Sequence, residues 1–174
     1  GNHGQVDAWV IKMDSLGSVE WKRILGGSKW DIAWDVLLTG DNGFLVVGKS
    51  ESSDGDVTEN RGGPDYWVVK LNSIGLKEWQ KTYGGGSVDI AYSGCNTNDG
   101  GFIIAGSSSS QNGDITAYHG GDDFWVLKLN ASGEVEWQKS LGGIMTDSPT
   151  AIRQSSDGGY IVAGYTVSNN GDVT

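Results

Sequence analysis

A chain of 174 residues and 18.4 kDa has room for one cored domain and not for two unrelated ones. Its 22 acidic and 12 basic residues leave a net charge of −10, a field that repels phosphate backbones and anionic lipid surfaces, so nucleic acid is not an expected partner. Cys95 is the only cysteine, which excludes an intrachain disulfide and a thiolate zinc site, and a buried, apolar thiol is expected there.

Twenty-nine Gly against two Pro, with eight Trp and a mean hydropathy of −0.32, describe short strands and tight turns around large aromatic anchors. No apolar run is long enough to span a bilayer, and GNHGQVDAWV has neither the basic start nor the apolar middle of a signal peptide, so no membrane insertion is expected. The first residue is not Met, and the chain reads as a processed product or as a piece of something longer.

An internal repeat organises everything else. Asp7-Ala-Trp-Val, Asp65-Tyr-Trp-Val and Asp123-Phe-Trp-Val begin successive units 58 residues apart. The spacing is kept by Trp21, Trp79 and Trp137, by Gly26-Gly27, Gly84-Gly85 and Gly142-Gly143, and by Asp31, Asp89 and Asp147. The units are therefore 7–64, 65–122 and 123–174, the last completed by residues 1–6.

The second unit shows the predicted elements in order. A strand Tyr66–Leu71, a turn Asn72–Gly75 and a strand Lys77–Tyr83 form one hairpin. A strand opening at Asp89, a turn Asn98–Gly101 and the apolar run Phe102–Gly106, suited to burial on both faces, form a second. One long loop, Ser107–Asp122, closes the unit, and no helical period occurs.

These motifs resemble the bacterial β-propeller repeat family. The resemblance rests on Trp67-Val-Val-Lys-Leu-Asn72, Gly75, Trp79, Gly84-Gly85, Asp89 and Gly101-Phe-Ile-Ile-Ala-Gly106-Ser. The Leu71–Trp79 hairpin is also similar to blades of quinoprotein propellers, in which the Trp docks one blade on the next, but no quinone-binding residue can be matched. The resemblance implies an all-β propeller of four-stranded blades, with the strand at Asp89 innermost and the strand at Trp79 outermost. It also implies the surface or exterior of a bacterium as the location. Its whole blades would be Asp31–Tyr83 and Asp89–Leu141, with an outer half-blade at Asp7–Leu25 and an inner half-blade at Asp147–Ser168. Three units are too few to close a ring, so a homodimer of six blades is expected. A β-trefoil, which also has three units of four strands but usually shorter ones, is the structural alternative.

Trp21, Trp79 and Trp137 are read as anchors between sheets. The loop acids Asp54, Asp56, Asp114 and Asp172 are the candidate ligand residues, since their oxygens suit Ca²⁺ or carbohydrate hydroxyls. Beside Gly the same acids also satisfy their own turns, and only the first loop carries two carboxylates. Asp31, Asp89 and Asp147 look like turn acceptors, while Glu20, Glu78 and Glu136 read as cross-strand partners of Lys12, Lys70 and Lys128. His3 and His119 are read as lying one residue out of register, which gives no symmetric metal ring. No catalytic residue, resident metal or other cofactor is expected. The reading is a non-enzymatic module that binds carbohydrate or protein, or alternatively a purely structural or engineered scaffold without a ligand.

Overall fold

The computed structural model describes residues 2–174. Twelve strands, all paired antiparallel and in chain order, form four sheets. Sheet I holds β1 (Ala8–Met13) and β2 (Val19–Leu25). Sheet II holds β3 (Asp31–Leu38), β4 (Phe44–Ser50), β5 (Asp65–Leu71) and β6 (Lys77–Tyr83). Sheet III holds β7 (Asp89–Asn96), β8 (Phe102–Ser108), β9 (Asp123–Leu129) and β10 (Val135–Leu141). Sheet IV holds β11 (Asp147–Gln154) and β12 (Tyr160–Thr166). The boundaries between sheets fall where the resemblance implied, half a repeat out of phase with the repeat itself. No sheet closes into a barrel, and a 3₁₀ turn at Gly171–Val173 is the only helical element among the described residues.

Two bulges recur in each repeat and aim side chains. In the β1–β2, β5–β6 and β9–β10 ladders the register skips Glu20, Glu78 and Glu136, and each swings onto the Lys of the neighbouring strand. In β3, β7 and β11 the ladder with the next strand skips Trp34, Tyr92 and Thr150. Hairpin turns use glycine where the backbone is left-handed, as at Gly75 with φ 75°, whereas Asn42 takes the same conformation at the position that Gly100 and Gly158 occupy in the other repeats.

The sheets pack face to face in succession. Ala8 and Leu25 of sheet I meet Val46, Trp67, Val69 and Leu71 of sheet II. Leu45, Val47, Tyr66 and Val68 of sheet II meet Ile104, Trp125 and Leu127 of sheet III. Ile103, Ala105 and Val126 of sheet III cover Ile152 of sheet IV. The middle strands β5, β8 and β9 are apolar on both faces because a neighbour lies on each side.

Two expectations are corrected. Cys95 is half-buried, because it lies near the end of edge strand β7, with its Sγ 3.2 Å from the Asn96 carbonyl. His3 and His119 are in register, two repeat lengths apart: their backbone N–H groups donate to Asp7 and Asp123 as that of Arg61 donates to Asp65.

Candidate functional site

The loop acids are engaged by their own backbone. Asp54 accepts from the Ser28 N–H at 2.7 Å. Asp56, Asp114 and Asp172 accept from the N–H groups of Gly26, Gly84 and Gly142 at 3.3, 3.1 and 3.2 Å. Asp56 also pairs with Lys77, and Asp114 with Arg61, both at 2.5 Å. Each acid fastens the end of a long loop to the crossover between sheets through at least one oxygen, as turn chemistry predicts, and Asp56 engages both. Asp54 and Asp56 point to different partners and do not converge on one cation position.

Sequence reasoning missed a buried carboxylate pair that recurs at every crossover. At Gly84 the space a Cβ would fill is taken by Asp65 Oδ1 and Asp89 Oδ2; Gly26 is flanked likewise by Asp7 and Asp31, and Gly142 by Asp123 and Asp147. Asp89 accepts from the Gly85 N–H at 2.8 Å and the Ser110 hydroxyl at 2.8 Å, and from Ser108 as well. Its partner Asp65 accepts from the Arg61 N–H at 2.7 Å, while Oδ1 of Asp7, of Asp65 and of Asp123 is buried without a hydrogen-bond partner. Burial pushes the Asp65 carboxyl up to about 6 against the pull of the Arg61 amide, and the charge on Asp89 adds to the rise. Burial also raises Asp89 despite its three donors.

The Glu–Lys pairs form as expected, Lys70–Glu78 at 2.9 Å and Lys128–Glu136 at 2.7 Å, with Lys12 on Glu20. Lys70 and Lys128 each hold a second acid from the preceding hairpin, Asp41 at 2.7 Å and Asp99 at 2.9 Å. No positioned nucleophile or base emerges from these pairs; they tie strands together.

The repeated tryptophans each lie on the following sheet. The Trp21 ring packs on Phe44 at 5.4 Å and over Gly75, where a Cβ would come within 2.8 Å of it. Trp79 lies against Phe102 at 6.4 Å and Gly133, and Trp137 against Tyr160 at 5.6 Å.

The bulge side chains of the first strands gather where sheets II, III and IV converge. Trp34 and Tyr92 lie 6.1 Å apart at an interplanar angle of 59°. With Ser148, Pro149, Thr150 and Tyr165 they line a cavity of about 400 Å³. Its signal in the sequence is the bulge position itself, where the three repeats diverge as Trp, Tyr and Thr.

Two clefts lie at the two half-sheets, the first of them lined also by Trp34 and Asp35. One runs between Trp9, Val10 and Ile11 of β1 and Ala33, Val36 and Val46 of sheet II. The other runs along Tyr160, Val162 and Thr166 of β12 and Phe124 of sheet III. No family model matches the chain, and no curated protein matches it.

Proposed function

We propose that this chain is half of a six-bladed β-propeller, completed by a second copy, and that it serves as a non-enzymatic binding module. On the likeness of its repeats, the parent is a bacterial surface or secreted protein. The observation that carries the reading is a set of sockets filled within the chain and open at its half-sheets. Trp67 and Trp125 are 1% and 0% exposed, yet their repeat equivalent Trp9 is 64% exposed. Gly75 and Gly133 each receive a Trp, but nothing lies within 4 Å of a Cβ built on Gly17. Gly43 and Gly101 are each approached by a Lys ammonium, and Gly159 is not.

The missing partners are all present at the other end of an identical chain. The β4–β5 register, Gly48 opposite Trp67 and Ser50 opposite Asp65, transfers to Gly164 of one copy opposite Trp9 of the other and Thr166 opposite Asp7. The same operation lays Trp137 on Gly17 of the other copy and brings Lys12 to Asp157. Applied twice, it closes a ring with twofold symmetry and hides both bare sheet edges. Separate four-stranded sheets packed in series support the propeller over the trefoil, which needs strands closed into a barrel.

Light scattering tests the reading. A mass near twice 18.4 kDa is expected; a compact monomer overturns the assembly.

A further inference from the structure

We propose that the cavity lined by Trp34, Tyr92, Ser148, Pro149, Thr150 and Tyr165 is a binding site for a neutral carbohydrate ring. The proposal deepens the binding-module reading; one chain supplies all six residues, with Tyr165 on the edge strand β12 that the ring would set beside β1 of the second copy.

The bulge is the first argument. An extra residue in an edge strand is left out of the ladder and re-aimed, and such bulges concentrate beside functional sites. In β3, β7 and β11 the bulged residues come from three sheets to one place, so three short-range irregularities produce one long-range cluster.

The second argument is the break in symmetry. Asp31, Asp89 and Asp147, three residues earlier on each strand, are identical in the three repeats, whereas the bulge and the residues beside it diverge, the bulge itself from Trp to Tyr to Thr. At the third position the small Thr150 joins the larger Trp34 and Tyr92 in lining the cavity. Trp34 and Tyr165 line the cavity with more than half of their surface exposed, 54% and 56%.

The lining selects the ligand class. None of the six residues is charged, so neither a salt-bridged anion nor a carboxylate-paired cation is provided for. The net charge of −10 further disfavours anions. Aromatic faces set beside the hydroxyls of Ser148, Thr150, Tyr92 and Tyr165 suit a ring with one apolar C–H face and a rim of hydroxyls. The Thr150 hydroxyl already donates to the Ala163 carbonyl at 3.3 Å, which leaves its lone pairs to accept from a ligand hydroxyl. The cavity is of a size for one or two sugar residues, within the range of small-molecule sites.

The experiment is a calorimetric titration of the full chain with neutral hexasaccharides (cello-, malto-, manno-, xylo- and chitohexaose) and with tetramethylammonium chloride, alongside its mass by light scattering. At least one saccharide is expected to bind. Trp34→Ala and Thr150→Trp are each expected to weaken that binding at least tenfold with circular dichroism and mass unchanged. If Trp34→Ala disturbs the mass, Thr150→Trp still reads the cavity from a position on another sheet. Unchanged saccharide binding in both variants, capture of the ammonium salt alone, or no binding at all overturns the proposal. A doubled mass without saccharide binding refutes the site and leaves the ring standing; saccharide binding by a monomer does the reverse.

Discussion

Sheets II and III on one side and sheets I and IV on the other are built from the same repeat, yet the first pair is buried and the second is not. Leu45 and Ile103 on the second strand of the whole sheets are each 0% exposed, whereas Ile161 at the same position of β12 is 65% exposed. The side chain is aliphatic throughout; what differs is whether β5 or β9 lies alongside. In a repeat fold burial is therefore a property of neighbours, and an exposed copy of a residue buried in its equivalents marks a missing contact.

The sharpest way to break this comparison is to make the edge of β12 hostile. Ile161→Lys puts a charge where the ring would bury it, and a buried unpaired ammonium costs several kcal/mol. The variant is expected to run at the mass of one chain with unchanged strand content by circular dichroism. A variant that stays at twice the mass removes β12 from the interface.

Tryptophan truncation measures the same contrast in free energy. Trp79→Ala empties a contact against Phe102 and Gly133, and is expected to cost about 3 to 5 kcal/mol in denaturant unfolding. Trp137→Ala should cost less in the Ile161→Lys monomer, where Tyr160 meets the ring but no β1–β2 turn of a second copy does, and a similar amount in the assembled protein. Equal costs in both states would mean that Trp137 gains nothing from assembly.

The next effect belongs to the buried acids. Asp65 holds its proton longer in the folded chain, with its carboxyl pushed up to about 6 from an ordinary 3.8. The folded state then binds more protons than the unfolded one between those values, so the contribution of Asp65 is greatest below pH 4 and declines as pH rises to 6. About two pH units correspond to roughly 3 kcal/mol. Asp65→Asn keeps an oxygen for the Arg61 amide and carries no charge. It is expected to stabilise the chain by about 2 to 3 kcal/mol at pH 7 and to show no advantage at pH 3.5, read from urea midpoints at both pH values. An advantage that persists at low pH would point to packing and not to ionisation.

These effects were unequally legible in the sequence. The strands and the Lys–Glu ties follow from local pattern, because period-two alternation and turn residues act within a few positions of each other, whereas the sheet boundaries came from the family resemblance. The role of Gly-Gly was not legible: Gly84 is required by Asp65 and Asp89, which approach it from different strands. The cavity at Trp34 and Tyr92 showed in the sequence only as a position that diverges between repeats, since the bulge that aims it depends on the partner strand's count and not on its own residues. The loop acids were visible as a motif, yet the motif alone did not tell a ligand from the Gly26, Gly84 and Gly142 amides that they accept.

The smallest expected effect concerns a single ion pair that one chain leaves half made. Lys70 and Lys128 each bridge a Glu of their own hairpin and an Asp of the preceding one, and the carboxyls of Asp41 and Asp99 lie well below the usual range, held down by those ammonium groups and by Thr39 and Thr97. Lys12 meets Glu20, and Asp157 is held only by Ser155 and the Gly159 N–H. If the ring closes as proposed, Lys12 of one copy completes the bridge to Asp157 of the other. Asp157→Asn should then weaken the dimer only slightly, since the acid is exposed at the rim and its pairing is screened by solvent. The loss should shrink as salt is raised from 0.05 to about 1 M, where the Debye length falls to about 3 Å. Asp41→Asn supplies the control: it removes the equivalent bridge within one chain, so it should lower the unfolding midpoint slightly and leave the dimer constant unchanged. An effect of Asp157→Asn on unfolding of the monomeric variant, with none on dimerisation, would confine Asp157 to its own turn and remove the ion pair from the interface.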